Sequence, residues 1–198
     1  MNRKEDKERV LGNLVLALHL IQKSRDFARL IPEVRVSLAC AVSWAKTYRD
    51  VAAIEGRIAS VGGYPRAAGL PAFGASSHMA VTILELRKYD PEIGAAMNFK
   101  CNNPIIEVLR QYAGEKNLIF GMIDRNMAPP ASRYQGGHWK IRYMVDTGGG
   151  VPRVYYENEG MGKEPLSIVV GRDAIQVTGM ALEIARRYRQ KMKVEKIP

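Results

Sequence analysis

Apolar residues recur at Val10, Leu14, Leu18 and Ile21, at spacings of four, four and three, and Leu11 and Val15 widen the stripe. That period predicts one amphipathic helix over residues 4–29, closed by Pro32. Residues 34–45 form a second apolar stretch whose alanine and serine content permits either a buried strand or a packed helix. Residues 51–58 read as a short strand entering a turn. Gly62-Gly63-Tyr64-Pro65 then breaks the chain, and residues 69–75 read as an irregular loop. Ser76 or Ser77 can cap a helix running to about Lys88, with Met79, Ile83 and Leu86 on its buried face.

Tyr89-Asp90-Pro91-Glu92 predicts another helical turn, residues 97–100 a strand, 105–112 a helix and 118–123 an apolar strand ending at Asp124-Arg125. Residues 126–165 hold most of the remaining glycine and proline, including Gly136-Gly137 and Gly148-Gly149-Gly150, around expected short strands at 139–145 and 151–156. A strand over 166–171 and a final helix from Asp173 to about Met192 complete the pattern. The alternation predicts an α/β fold with helices on both faces of a mixed sheet.

Length changes the picture little: 198 residues, 46% of them hydrophobic, suit a single domain over 1–198 with residues 1–30 as an N-terminal helical region. The longest uncharged run, 18 residues from Ala67 to Leu84, is interrupted by Pro71, Gly74, Ser76, Ser77 and His78, so no membrane span is expected. The N-terminus mixes both charge signs, unlike a secretory signal, and a cytoplasmic protein is expected. Cys40 and Cys101 make neither a disulfide framework nor a CxxC pair and read as small core residues.

Charge changes it more. A net charge of +10 implies an anionic partner: nucleic acid, phosphorylated metabolites or an acidic surface. Part of the excess sits between Arg186 and Lys196, where six cations face Glu195 alone. That run suits the C-terminal end of a helix, whose dipole favours cations, and reads as a solvated helix end rather than a nucleic-acid contact.

None of His19, His78 and His138 has zinc-site spacing, and GxSxG, P-loop and GxGxxG motifs are absent. His78 follows Gly74-Ala75-Ser76-Ser77 at an expected helix start, where free N–H groups and the helix dipole attract phosphate; equally, Ser77 could cap the helix and His78 pack beneath the loop. Arg57 follows Gly56 at a strand end, and its planar fork suits phosphate oxygens. Asp124-Arg125 closes an apolar strand, and Lys163 stands in the glycine-bordered turn 162–165. Such strand-end cations beside a carboxylate could bind a magnesium diphosphate, although a surface salt bridge is the plainer reading of each pair. Asn98 and Lys100, two apart on a strand, share a face.

Taken together, Ile31-Pro32-Glu33-Val34-Arg35, residues 50–58 (DVAAIEGRI), Phe73-Gly74-Ala75-Ser76-Ser77-His78, residues 88–93 (KYDPEI), Gly162-Lys163-Glu164-Pro165 and Gly171-Arg172-Asp173-Ala174 resemble the ThiN family of thiamine-phosphate synthases. The segments stand in the family's order across nearly the whole chain. The family is largely archaeal and often fused behind a hydroxymethylpyrimidine phosphate kinase, of which this chain looks like a free-standing counterpart. The resemblance implies a three-layer α/β/α fold with a mixed, mostly antiparallel sheet, similar to class II aldolases without their zinc site. It implies joining hydroxymethylpyrimidine diphosphate to hydroxyethylthiazole phosphate with release of diphosphate.

In the family, the arginine of the GRI segment and the histidine after the FGAS loop are tied to activity, and they match Arg57 and His78. Gly74, Ser76, Ser77, Asn98, Lys100, Asp124, Arg125 and Lys163 are the accompanying candidates for phosphate contacts, with Mg2+ arriving on the diphosphate and assembly as a homodimer compatible with the resemblance. Ser37 stands where members often carry asparagine after PEVR. The competing implication is a ligand-sensing ThiN-like domain of a transcription regulator. Such domains follow a helix-turn-helix unit and lack the catalytic pair, whereas the 30 residues before Ile31 read as one helix and both Arg57 and His78 are present.

Overall fold

The computed structural model describes residues 2–127 and 138–194; Gly136, Gly137, the His138 side chain, Glu195 and Lys196 lie outside the described residues. Its strands are β1 (Leu38–Ala41), β2 (Val51–Ile54), β3 (Ile58–Val61), β4 (Tyr64–Ala67), β5 (Pro71–Phe73), β6 (Ala95–Lys100), β7 (Phe120–Ile123), β8 (Val154–Glu157) and β9 (Leu166–Gly171). Seven of them form one sheet in the order β5-β2-β1-β6-β9-β8-β7, while β3 and β4 pair as a separate hairpin. Only β7 and β8 run parallel within that sheet; its other described pairings are antiparallel.

Helices cover both faces, giving three layers. On one side lie α1 (Arg3–Ile21), α2 (Arg25–Ala28), α4 (Asn103–Glu115) and α6 (Ala174–Val194). On the other lie α3 (Ser77–Leu86) and α5 (His138–Thr147). Strand residues alternate between the two cores: Leu38, Cys40, Ala52, Ile54, Met97 and Val169 face the first, and Ala39, Ala41, Val51, Ala53, Ala96 and Ile168 the second. Burial on both faces explains why β1 (LACA) and β2 (VAAI) are strands despite alanine's weak strand propensity. Small side chains there let helices approach the sheet. Cys40 and Cys101 are both free and buried, and burial pushes the Cys40 thiol up to about 11.

Several expected elements are altered. The single helix expected over 4–29 ends at Ile21, and the Ser24 hydroxyl accepts the Phe27 N–H to start α2 afresh. Val15, expected to widen the buried stripe, is 52% exposed. The Gly62-Gly63 break is the turn of the β3–β4 hairpin, with both glycines at positive φ. The expected loop at 69–75 contains β5, which adds to the edge of β2; Pro71 is tolerated because it begins an edge strand. Residues 89–92 form a turn rather than a helix, with the Asp90 carboxylate accepting the Glu92 N–H.

The largest departure is at 139–145, expected as a strand and found as α5. Ile141, Met144 and Val145 recur at helical spacing and pack against the core beneath α3, a period that a short apolar run does not distinguish from a strand.

Candidate active site

The chain turns sharply after β2. The Arg57 N–H donates to the Ile54 carbonyl at 3.2 Å, and Gly56 sits at φ +63°, where a Cβ would stand 2.8 Å from that of Ala68. Arg57 itself has φ +69°, and Arg35 in the neighbouring loop has φ +66°, left-handed conformations uncommon outside glycine. The two loops grip each other reciprocally. Arg57 Nη1 donates to the Val34 carbonyl at 2.5 Å, and Arg35 Nη1 donates to the Gly56 carbonyl at 3.3 Å.

Two further side chains brace this pair. Buried Asn98 accepts the Ser37 N–H at 2.7 Å and donates to the Arg35 carbonyl at 3.2 Å. Glu164 accepts the N–H groups of Val34 at 2.7 Å and Glu33 at 3.3 Å. The strained arginines are therefore fixed from the sheet on one side and from the 160–165 turn on the other.

Across the α3 face, Ser76 caps the helix by accepting the Met79 N–H at 3.4 Å, and His78 lies in its first turn. Solvent reaches His78, yet desolvation lowers its pKa. Glu157 opposes that shift, while the cations Lys140, Arg125 and Arg57 reinforce it. The imidazole is thus held neutral at physiological pH within the fields of three cations and one carboxylate.

That carboxylate ends β8. Glu157 is 3% exposed, and its Oε2 accepts from Arg125 at 2.8 Å and Lys140 at 3.0 Å. Arg125 also donates through Nη1 to the Glu164 carbonyl at 2.7 Å, linking this cluster to the Arg57 loops. Desolvation would raise the Glu157 pKa, but the two cations outweigh it and the carboxyl stays ionised. Removing one partner of so buried a network typically costs about 3–5 kcal/mol.

Sheet register explains the convergence. Glu157 pairs with Ile123 on β7 and Leu166 on β9, and Leu166 pairs with Lys100 on β6. Asp124-Arg125 and Lys163-Glu164 thus emerge from the same end of the sheet. Asp124 accepts Asn126 N–H at 2.9 Å and Asn158 Nδ2 at 2.6 Å, hydrogen bonds that hold its carboxyl below the usual range.

The expected residues divide by role. Arg57 and His78 come within electrostatic reach, with Gly74, Ser76 and Ser77 on the approach to His78. Arg125 is occupied by Glu157 and Glu164, and Asn98 by backbone, so both position rather than present donors. Lys100 is exposed at the end of β6, and Lys163 is exposed in a turn closed by paired bonds with Gly160. Glu157 and Lys140 were not singled out from sequence. The first was readable as a charge ending an apolar strand, like Asp124; the second was hidden by the strand expected in place of α5.

Two open cavities lie elsewhere. One of about 580 Å³ runs between α3 and the 45–48 segment, lined by Tyr48, Val81 and Leu84. Of its three lining cations, Lys46, Arg87 and Lys88, the last two are occupied by the Val42 and Ser43 carbonyls and by Glu85. Charge and buried coordination, rather than volume, locate the candidate site.

Residues 13–183 match the family described as thiamine-phosphate synthase ThiN. The thiamine-phosphate synthase ThiN of Methanothermobacter thermautotrophicus is 34% identical over 182 residues, 90% of this chain and 94% of that protein. The bifunctional thiamine biosynthesis protein ThiDN of Methanocaldococcus jannaschii is 36% identical over 185 residues, 92% of this chain; the chain spans 42% of that longer protein. The crystal structure of the C-terminal domain of protein MJ0236 superposes with a TM-score of 0.83 at 35% identity, covering 94% of this chain and 98% of that one.

Proposed function

Because this chain belongs to the ThiN family of thiamine-phosphate synthases, we propose that the Arg57–His78 site joins a hydroxymethylpyrimidine diphosphate to a hydroxyethylthiazole phosphate, forming thiamine phosphate and diphosphate. The observation that carries this reading is the cationic field of Arg57, Arg125 and Lys140 around a neutral His78, opposed there by the carboxylate of Glu157. Among the described residues the site carries excess positive charge and no nucleophile–base pair, which suits departure of a diphosphate.

In the step itself, the bond between the pyrimidine methylene carbon and the diphosphate oxygen breaks, and its electron pair leaves with the diphosphate. The electron-rich aminopyrimidine stabilises the cation that remains. The thiazole nitrogen lone pair then forms the new C–N bond, so no covalent enzyme intermediate is needed. The protein's part is positioning and electrostatic stabilisation: Arg57 and a neutral His78 N–H donate to phosphate oxygens, and the α3 N-terminus adds its dipole.

Magnesium fits as a companion of the diphosphate. The ion keeps several waters and takes one or two carboxylates beside substrate phosphates. Among the described residues no group of three or more His, Cys, Asp or Glu could hold a metal alone, and Asp124 is the carboxylate at this sheet end that fits a contribution to a phosphate-borne ion. No described helix is long and apolar enough to cross a membrane. The cytoplasm, where phosphorylated intermediates are kept, is the location that goes with this function.

The test is to incubate the purified protein with both phosphorylated precursors and magnesium and assay thiamine phosphate. Product that requires both precursors supports the proposal; ligand binding without product contradicts it.

A further inference from the structure

Lys140 stands out among the cations at His78. Arg125 uses Nε, Nη1 and Nη2 on Glu157 and Glu164, whereas the Lys140 ammonium has three donors and makes a 3.0 Å bond to Glu157 Oε2. Its side chain is 16% exposed, compared with 8% for Arg125, so it is held within the protein but reaches the open side of the cluster. α5 packs against α3, with Ile141, Met144, Met79 and Ile83 in one core cluster, and Lys140 acts electrostatically on His78.

Resting on the synthase reading, we propose that Lys140 is a further anion contact of this site, receiving the diphosphate group, and that Glu157 is the positioning residue that aims it. A lysine on a flexible four-carbon stem would otherwise sample many rotamers. Anchoring it to a carboxylate already fixed by Arg125 removes that freedom before substrate arrives. Glu157 also keeps two buried cations compatible with each other while the site is empty. When the diphosphate binds, the remaining Lys140 donors turn to its oxygens without breaking the Glu157 bond.

Calorimetry with inorganic diphosphate, together with NMR titration of the histidines in the full-length chain, tests this. Lys140→Met is expected to weaken diphosphate binding about tenfold, the size of one charge-assisted hydrogen bond, while Lys140→Arg retains most of the affinity. Titratable and charged groups facing His78 are Glu157, Lys140, Arg125 and Arg57, which sets two opposite signs. Lys140→Met removes a cation and should raise the His78 pKa, and Glu157→Gln removes the anion and should lower it; Glu157→Gln should also weaken diphosphate binding, which a merely structural glutamate would leave unchanged. Lys140→Met binding diphosphate as tightly as the wild type, in a protein that makes thiamine phosphate, overturns this proposal alone. Failure of the wild type to make thiamine phosphate contradicts the synthase reading instead.

Discussion

The Val34 N–H donates to Glu164 at 2.7 Å across 130 residues of sequence, and the Val34 carbonyl receives the Arg57 guanidinium at 2.5 Å. One residue thus couples the 160–165 turn to the arginine of the proposed site. Glu164→Ala should leave Val34 free to shift and Arg57 misaimed. A misplacement of roughly 1 Å in a positioned group can cost about 10²-fold, so turnover should fall by between tenfold and that figure. The melting temperature should move little, because the lost bonds lie at the surface. Steady-state kinetics beside a thermal melt checks the split; an equal loss of stability and activity would contradict it.

Asp6 offers a stability test remote from the site. It is 1% exposed, and its carboxylate accepts from Ser43 N at 2.6 Å, Ser43 Oγ at 2.8 Å and Arg9 Nη2 at 2.7 Å. Desolvation works to raise its pKa, but the Ser43 and Arg9 hydrogen bonds prevail and lower it. A folded-state pKa below the unfolded one contributes stability that is present above the ordinary carboxylate range and lost as pH falls through the folded value. Asp6→Ala should cost about 2–3 kcal/mol at neutral pH. Thermal melts of both proteins should converge as the pH drops below the carboxylate range; a constant gap would show that packing, not charge, accounts for the loss.

Three cations at the basic end of α6 are paired within the protein. Arg187 bonds Glu115 and Glu183, Arg189 lies 3.4 Å from Asp26, and Lys191 lies 2.7 Å from Glu107. Within the solvated helix end expected from the sequence, Arg187, Arg189 and Lys191 find acids of α2, α4 and α6 as partners. Partly exposed pairs of this kind contribute about 0–1 kcal/mol each. Deleting residues 191–198 should therefore leave thiamine-phosphate formation nearly intact. Duplex DNA binding should lack a steep salt dependence, since each phosphate contact would add roughly 0.9 to the slope of log K against log salt. A steep slope flattened by the deletion would establish a nucleic-acid contact.

The three-layer plan was legible because strands buried on both faces leave continuous apolar runs, as at Leu166–Gly171, and because Ser76 marks the start of α3. Two kinds of feature were not. Trp139 to Val145 fits both periods, and only its packing beneath Met79 and Ile83 makes it a helix. Elsewhere the departures come from contacts distant in sequence: β5 becomes a strand because β2 presents an open edge. The site divides the same way. Arg57 and His78 sit in recognisable local segments, whereas the roles of Glu157, Glu164 and Asn98 arise from bonds to residues 17 to 131 positions away.

In the proposed reaction Arg57 and His78 stabilise the departing diphosphate. The most direct measurement of that role is thiamine phosphate formed from both precursors by the wild type, Arg57→Ala and His78→Ala, with thermal melts of the same samples. Product is expected from the wild type, with a loss of about 10²–10³ in rate for each variant, the usual effect of deleting one transition-state contact, and melting temperatures nearly unchanged. Variants that turn over as fast as the wild type, or a folded wild type that forms no thiamine phosphate, would contradict that role.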